Sequence, residues 1–197
     1  MRLSGLNTLL IIGMLLLFQS IISQDTKQEK ESPIKIEEFP GNFPEKIDNL
    51  QFDLEREKFY KQRDGNETSY EMKFRHDRFD YSVEVDTLGK LIDIEIEIEK
   101  KKIAEILIKK IQSHFDKNFD RFKIEKIQAQ FRKNDEPTQK LLEKVISEAL
   151  ALPDHYEIIV AIKDNEGFKR FEYLFTTDGQ VELKRKVIRN EFNYLIF

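Results

Sequence analysis

Cysteine and tryptophan are absent from the 197 residues, and there are only seven glycines and five prolines. Without cysteine there is no disulfide framework and no thiol chemistry, so stability has to come from an ordinary packed core. No phosphate-binding glycine loop and no Gly-x-Ser-x-Gly stretch occurs. No basic patch stands out either: 33 Lys and Arg are finely mixed with 37 Asp and Glu, for a net charge of −4, which argues against a nucleic-acid surface. His76, His114 and His155 stand singly, without the spacing of a metal site or a neighbouring nucleophile motif. The expectation is therefore no catalytic residue, no metal site and no cofactor.

The one long apolar run is at the start. Met1-Arg2 precedes Leu9 to Phe18, unbroken except at Gly13, and Ile21-Ile22-Ser23 offers a cleavage site before Gln24. This reads as a secretory signal peptide over 1–23, too short to be a spanning helix of ~20 residues. It places the chain in the periplasm or outside the cell, most simply of a Gram-negative bacterium, with no transmembrane span after cleavage. Residues 24–38 are charged and poor in apolar side chains, as expected of a flexible tether outside the folded core. At the other end Phe192 to Phe197 reads as a final strand or apolar tail, residues 191–197, and not as a strand of an outer-membrane barrel. Asn66-Glu67-Thr68 matches a glycosylation sequon, but Asp64-Gly65 beside it already marks a turn.

Val83, Val85, Ile92, Ile94, Ile96 and Ile98 alternate with acidic residues on both sides of Asp86-Thr87-Leu88-Gly89-Lys90. Period two predicts a hairpin, with Val85 facing Ile92, Val83 facing Ile94 and Tyr81 facing Ile96. A second hairpin is predicted where Thr176 closes on Gln180 around Thr177-Asp178-Gly179, setting Phe175 opposite Val181 and Tyr173 opposite Leu183. Gly89 and Gly179 are 90 residues apart, and Tyr70-Glu71 and Tyr156-Glu157 are 86 apart. Lys46 to Gln51 parallels Lys123 to Gln128 at 77, and Phe39 to Phe43 parallels Phe115 to Phe119 at 76. Four matches in one order predict an internal repeat, with copies at 39–99 and 100–190.

Two amphipathic helices complete the pattern. Lys100 to about Phe115 carries Ile103, Ile106, Leu107, Ile111 and Phe115 on one face, and Pro137 to Leu152 carries Leu141, Leu142, Val145, Ile146, Ala149 and Leu150. The second interrupts the second copy; the first copy's own leading helix is expected to be short or absent. The predicted fold is α+β: about eight largely antiparallel strands from two degenerate repeats, with amphipathic helices packed on one face and the other face open.

The helix ending near Phe115, Asn118-Phe119, the strand through Ile124 and Ile127, Tyr156-Glu157 and Phe171 to Gly179 together resemble the PepSY-like domains of bacterial envelope proteins. Tandem copies behind a signal peptide also resemble the β-lactamase-inhibitor-like architecture. The likeness covers most of 39–188 and implies a non-catalytic module that binds, or inhibits, another envelope or extracellular protein through its open sheet face. The alternative is a ligand-binding or enzymatic domain with a pocket between curved sheet and helices.

One cluster remains. Asp93, Glu95, Glu97 and Glu99 project from one strand face at ~7 Å intervals, with Glu84 opposite Asp93. These five are the candidate partner-binding residues, as an acidic stripe for a basic partner or a cation. The competing reading is a solvated face relieved by Lys184 and Lys186, which alternate similarly in the equivalent strand of the second copy.

Overall fold

The structure is a computed structural model that describes residues 25–41, 43–148 and 152–188. The expected signal peptide and the C-terminal tail at 191–197 lie outside the described residues. Within them are β1 (Asp25–Lys27), β2 (Glu29–Ile34), β3 (Glu55–Asp64), β4 (Glu67–His76), β5 (Phe79–Val85), β6 (Leu91–Glu97), β7 (Phe122–Arg132), β8 (His155–Asp164), β9 (Gly167–Thr176) and β10 (Val181–Val187). Three α-helices join them: α1 (Phe43–Asp48), α2 (Glu105–Asn118) and α3 (Thr138–Ser147).

All ten strands belong to one sheet of order β1-β10-β9-β8-β7-β6-β5-β4-β3-β2. Both of its ends are N-terminal: β1 runs parallel to β10, and β2, one residue further on, runs antiparallel to β3. The sheet is therefore bent into a nearly closed barrel whose seam is spanned by one continuous segment. This corrects the expected fold on two counts. There are ten strands, not about eight, and the face away from the helices is rolled inward, not left open. The extra strands come from residues 25–34, read above as a tether. Having few apolar side chains, they give no core signal, yet an edge strand needs only backbone pairing and inward groups that match a polar interior.

Strand alternation sorts the side chains. Met72, Phe74, Tyr81, Val83, Ile94, Ile96, Ile127 and Phe131 form one buried cluster with the helices, while their sequence neighbours face the interior. Helix α2 contributes Leu107, Ile108, Ile111 and Phe115. Ile106, expected on that face, is 72% exposed, and Ile108 takes its place because the helix starts at Glu105 after a 3-10 turn at Lys100–Lys102. Phe115 packs edge-on against Tyr173 and Phe175, with ring centroids at 5.1 and 5.8 Å. Helix α3 buries Leu141, Leu142, Val145 and Ile146, and burial of each such side chain is worth about 2 kcal/mol.

Both predicted hairpins form, each with a bulge one step past its first pair. Val85 meets Leu91, not Ile92, and the register then shifts so that Glu84 meets Asp93, Val83 meets Ile94 and Tyr81 meets Ile96. Phe175 meets Val181, Leu174 meets Leu183, and Tyr173 meets Lys184 instead of Leu183. The bulges re-aim Ile92, which is 40% exposed, and keep the acidic residues of β6 on the interior side. The proposed parallel between Lys46–Gln51 and Lys123–Gln128 does not hold in three dimensions. Lys46 to Asp48 are helical, and it is Tyr60 that pairs with Glu71 as Gln128 pairs with Glu157. Propensity in Lys46-Ile47-Asp48 is overridden by packing: Phe43 and Ile47 are buried on the helical face of α1.

Gly89 holds a left-handed turn at φ +73°, and a Cβ there would sit 2.6 Å from the Pro40 carbonyl oxygen. Gly89→Ala should therefore cost about 2 kcal/mol or more, from strain plus a backbone clash. Gly65→Ala, at φ +58° with nothing within 4 Å, should cost about 1 kcal/mol. Urea denaturation of the two variants checks the order.

Candidate functional site

The rolled sheet encloses a cavity of about 370 Å³ to which all ten strands contribute side chains. Its wall is charged: eight carboxyl groups against four cations, the latter being Lys27, Lys73, Lys126 and Arg185. The alternation that sends Met72 and Ile158 outward to the core sends Glu71 and Glu157 inward.

Two ion clusters flank the seam. Glu172, 2% exposed, accepts from Lys27 Nζ at 2.7 Å and from Arg185 Nε at 2.9 Å. Burial disfavours the Glu172 carboxylate, but Lys27 and Arg185 outweigh it and hold its pKa below the ordinary value. For Lys27 burial likewise opposes the charge, and Glu157, Glu172 and Glu29 together hold its pKa well above 10.5. On the β4 side Lys73 Nζ bridges Glu31 and Glu71, each at 2.9 Å, and Gln62 Nε2 donates to Glu71 at 2.5 Å.

The centre of the cavity has fewer cations. Gln130 Nε2 donates to Asp93 at 2.9 Å and to Glu95 at 3.3 Å, and Gln128 Nε2 also donates to Glu95. Burial, then the negative charges of Glu84 and Glu157, pushes the Asp93 carboxyl up to about 8. Burial, then Asp93, does the same to Glu95. Glu157 is raised well above 4.5 by burial and then by Glu95. Glu84 and Glu29 are raised as well, chiefly by burial. At neutral pH this centre holds protons in place of missing counter-charge, and a cation that entered would displace them.

Of the five residues singled out from sequence, Glu84, Asp93 and Glu95 line this cavity. Glu97 is exposed in an adjoining groove with Lys126 and Gln128, and Glu99 is exposed and paired with Lys101 at 2.7 Å. Lys184 and Lys186 do not relieve the stripe, because three strands separate β10 from β6. Lys184 instead lies over Phe171, Phe119 and Tyr173, 4.8 to 5.4 Å from their centroids.

Sequence reasoning missed Lys27, Glu71, Glu157, Glu172 and Arg185. One signal was present: Glu157 and Glu172 are single charges inside otherwise apolar or aromatic runs, Tyr156 to Val160 and Phe171 to Phe175. The histidines stay apart. His76 Nδ1 is 2.8 Å from the Asp53 carbonyl oxygen, and His114 packs on Tyr173 and Phe175. His155 Nε2 is 2.7 Å from Glu182, while its buried Nδ1 has no hydrogen-bond partner among the described residues. Among the described residues no group of three or more His, Asp or Glu could hold a metal ion, and no helix is long and apolar enough to cross a membrane.

No protein-family model and no curated protein matches the sequence. Solved structures do share the fold. A DUF2874 family protein from Bacteroides ovatus superposes with a TM-score of 0.51 at 10% identity, over 75% of this chain and 87% of that one. A protein of Bacteroides eggerthii provisionally assigned to the periplasm gives 0.50 at 9% identity, over 75% and 88%. A BLIP-like protein from Bacteroides fragilis gives 0.48 at 11% identity, over 78% and 90%. The fold is thus similar to that of the DUF2874 proteins, consistent with the envelope-protein resemblance read from the sequence.

Proposed function

We propose that this chain is an exported, non-catalytic binding protein, built from two degenerate PepSY-like copies, that recognises positive charge in the interior of its rolled sheet. The observation that carries the reading is the cavity of about 370 Å³ with eight carboxyl groups against four cations. Its volume is in the range of small-ligand sites. Export is supported by the signal-type N-terminus in the sequence and by the fold shared with a protein provisionally assigned to the periplasm. Binding through an open sheet face gives way here to binding inside the rolled sheet, in a cavity lined by no helical residue and so distinct from the pocket between sheet and helices that the sequence offered as the alternative.

Titration calorimetry with 1,4-diaminobutane tests it. Saturable binding is expected, tighter at about pH 8 than at about pH 6, with protons released as Asp93 and Glu95 ionise. Glu95→Gln should weaken binding about tenfold, the scale of one charge-assisted contact, and Glu99→Gln should leave it unchanged. No saturable heat up to about 10 mM diamine at either pH would sink the reading.

A further inference from the structure

β1 and β2 are the least anchored strands of the sheet. No described side chain from Thr26 to Ile34 is fully buried. Backbone pairing holds them, over three positions to β10 and six to β3, together with the ion pairs of Lys27 and Glu31 and the partly buried Ile34, which packs against the core. No ladder joins β3 to β10 directly; the Arg185–Asp64 pair at 3.6 Å is the side-chain link across. Three alternate residues of the segment, Lys27, Glu29 and Glu31, point inward and line the cavity. Their fit is unequal. Lys27 meets Glu172, and Glu31 meets Lys73, but Glu29, 3.3 Å from Lys27, adds a further carboxyl to a wall already crowded by Glu71 and Glu84.

We propose that this seam is an acceptor for an extended, lysine-bearing segment of a partner polypeptide, and that residues 25–34 occupy it in cis as a placeholder. The proposal rests on the interior recognising positive charge, and it names the source of that charge: a side chain delivered on an added strand. In strand addition the backbone ladder supplies affinity and alternate side chains supply specificity. The pattern that matches the three inward positions is basic, any, basic, any, acidic, with the second basic group replacing Glu29 and the acidic one retaining Lys73. The chain's own segment satisfies two of the three, so a better-matched strand has a gain to compete with.

The test uses the full chain carrying Ser32→Cys and Lys61→Cys, positions paired across β2 and β3 in a protein without other cysteines. Reduced, β2 is free to leave; oxidised, it is tied down. Fluorescent peptides of residues 24–35 serve as probes: the native sequence, its Glu29→Lys form and its Lys27→Glu form. The reduced chain should bind the Glu29→Lys peptide about tenfold tighter than the native one and the Lys27→Glu peptide about tenfold weaker. The oxidised chain should bind none of them, because the native segment at millimolar effective concentration is made permanent. Equal binding to both forms, no binding to the reduced form, or a reversed peptide order overturns the proposal. Diaminobutane titrated into the oxidised chain separates the two ideas: uptake of diamine there with no uptake of peptide by the reduced chain removes only the strand acceptor, and uptake of neither removes both.

Discussion

The melting temperature should fall as pH is raised from about 5 to about 9, by about 10 °C or more, where each kcal/mol corresponds to about 3 °C for a chain of this size. Asp93 has an ordinary value of 3.8 and a folded value of about 8, so between those limits the folded state holds a proton that the unfolded state has lost. Stability from such a group is full below the lower value and is lost as pH rises through the upper one. Glu95, Glu157, Glu84 and Glu29 are shifted in the same direction, and their contributions share one charge cluster and do not simply add. Glu172, Asp164 and Asp178 are shifted down and act oppositely, losing stability as pH falls below their ordinary range. The optimum should therefore lie near pH 5. Asp93→Asn and Glu95→Gln keep an acceptor for Gln130 but no longer ionise, so they should flatten the slope and melt higher than the parent at about pH 9. Scanning calorimetry across the pH series checks this, and a melting temperature that rises steadily towards pH 9 would refute it.

Glu172→Ala should be the most damaging single change in the interior, costing about 3–5 kcal/mol in urea denaturation at neutral pH. Removing this fully buried carboxylate takes away the partner that Lys27 and Arg185 share, and leaves Lys27 with the longer contact to Glu29 at 3.3 Å and Arg185 with that to Asp64 at 3.6 Å. It also removes the only ion pair by which β1 is tied to β9 among the described residues, so amides in residues 25–34 should exchange faster. The double change Glu172→Ala with Lys27→Met should recover about half the loss, because much of the penalty is that of two neighbouring cations left with too little counter-charge, and the second change removes one of them. If the single variant is no less stable than the parent, the cluster does not hold the seam.

The parts of the fold that were legible in the sequence are those where one face meets an apolar core. Tyr81, Val83, Ile94 and Ile96 give period two, Leu141 to Ile146 gives a helical face, and both are observed. Register near the turns was not legible, because the bulges at Ile92 and Glu182 move one residue without altering composition. The strands β1 and β2 were invisible for a deeper reason. Lys27, Glu29 and Glu31 face a charged interior, so their alternation is charged against polar and carries no hydrophobic signal. The site suffered similarly: Glu84, Asp93 and Glu95 could be picked out as a stripe, but the groups that make it a cavity come from strands up to five places away in the sheet. Glu97 and Glu99 followed the same spacing and fell outside, Glu97 at the last position of β6 where it faces an adjoining groove and Glu99 beyond the strand, paired with Lys101.

Carboxyl titration by ¹³C NMR, following Asp93 and Glu95 with and without 1,4-diaminobutane, bears most directly on an enclosed interior that recognises positive charge. In the free protein both should titrate near 8, and saturating diamine should move them down by about a unit or more. Titration near the ordinary carboxylate range, unmoved by diamine, would contradict both the enclosure and the recognition.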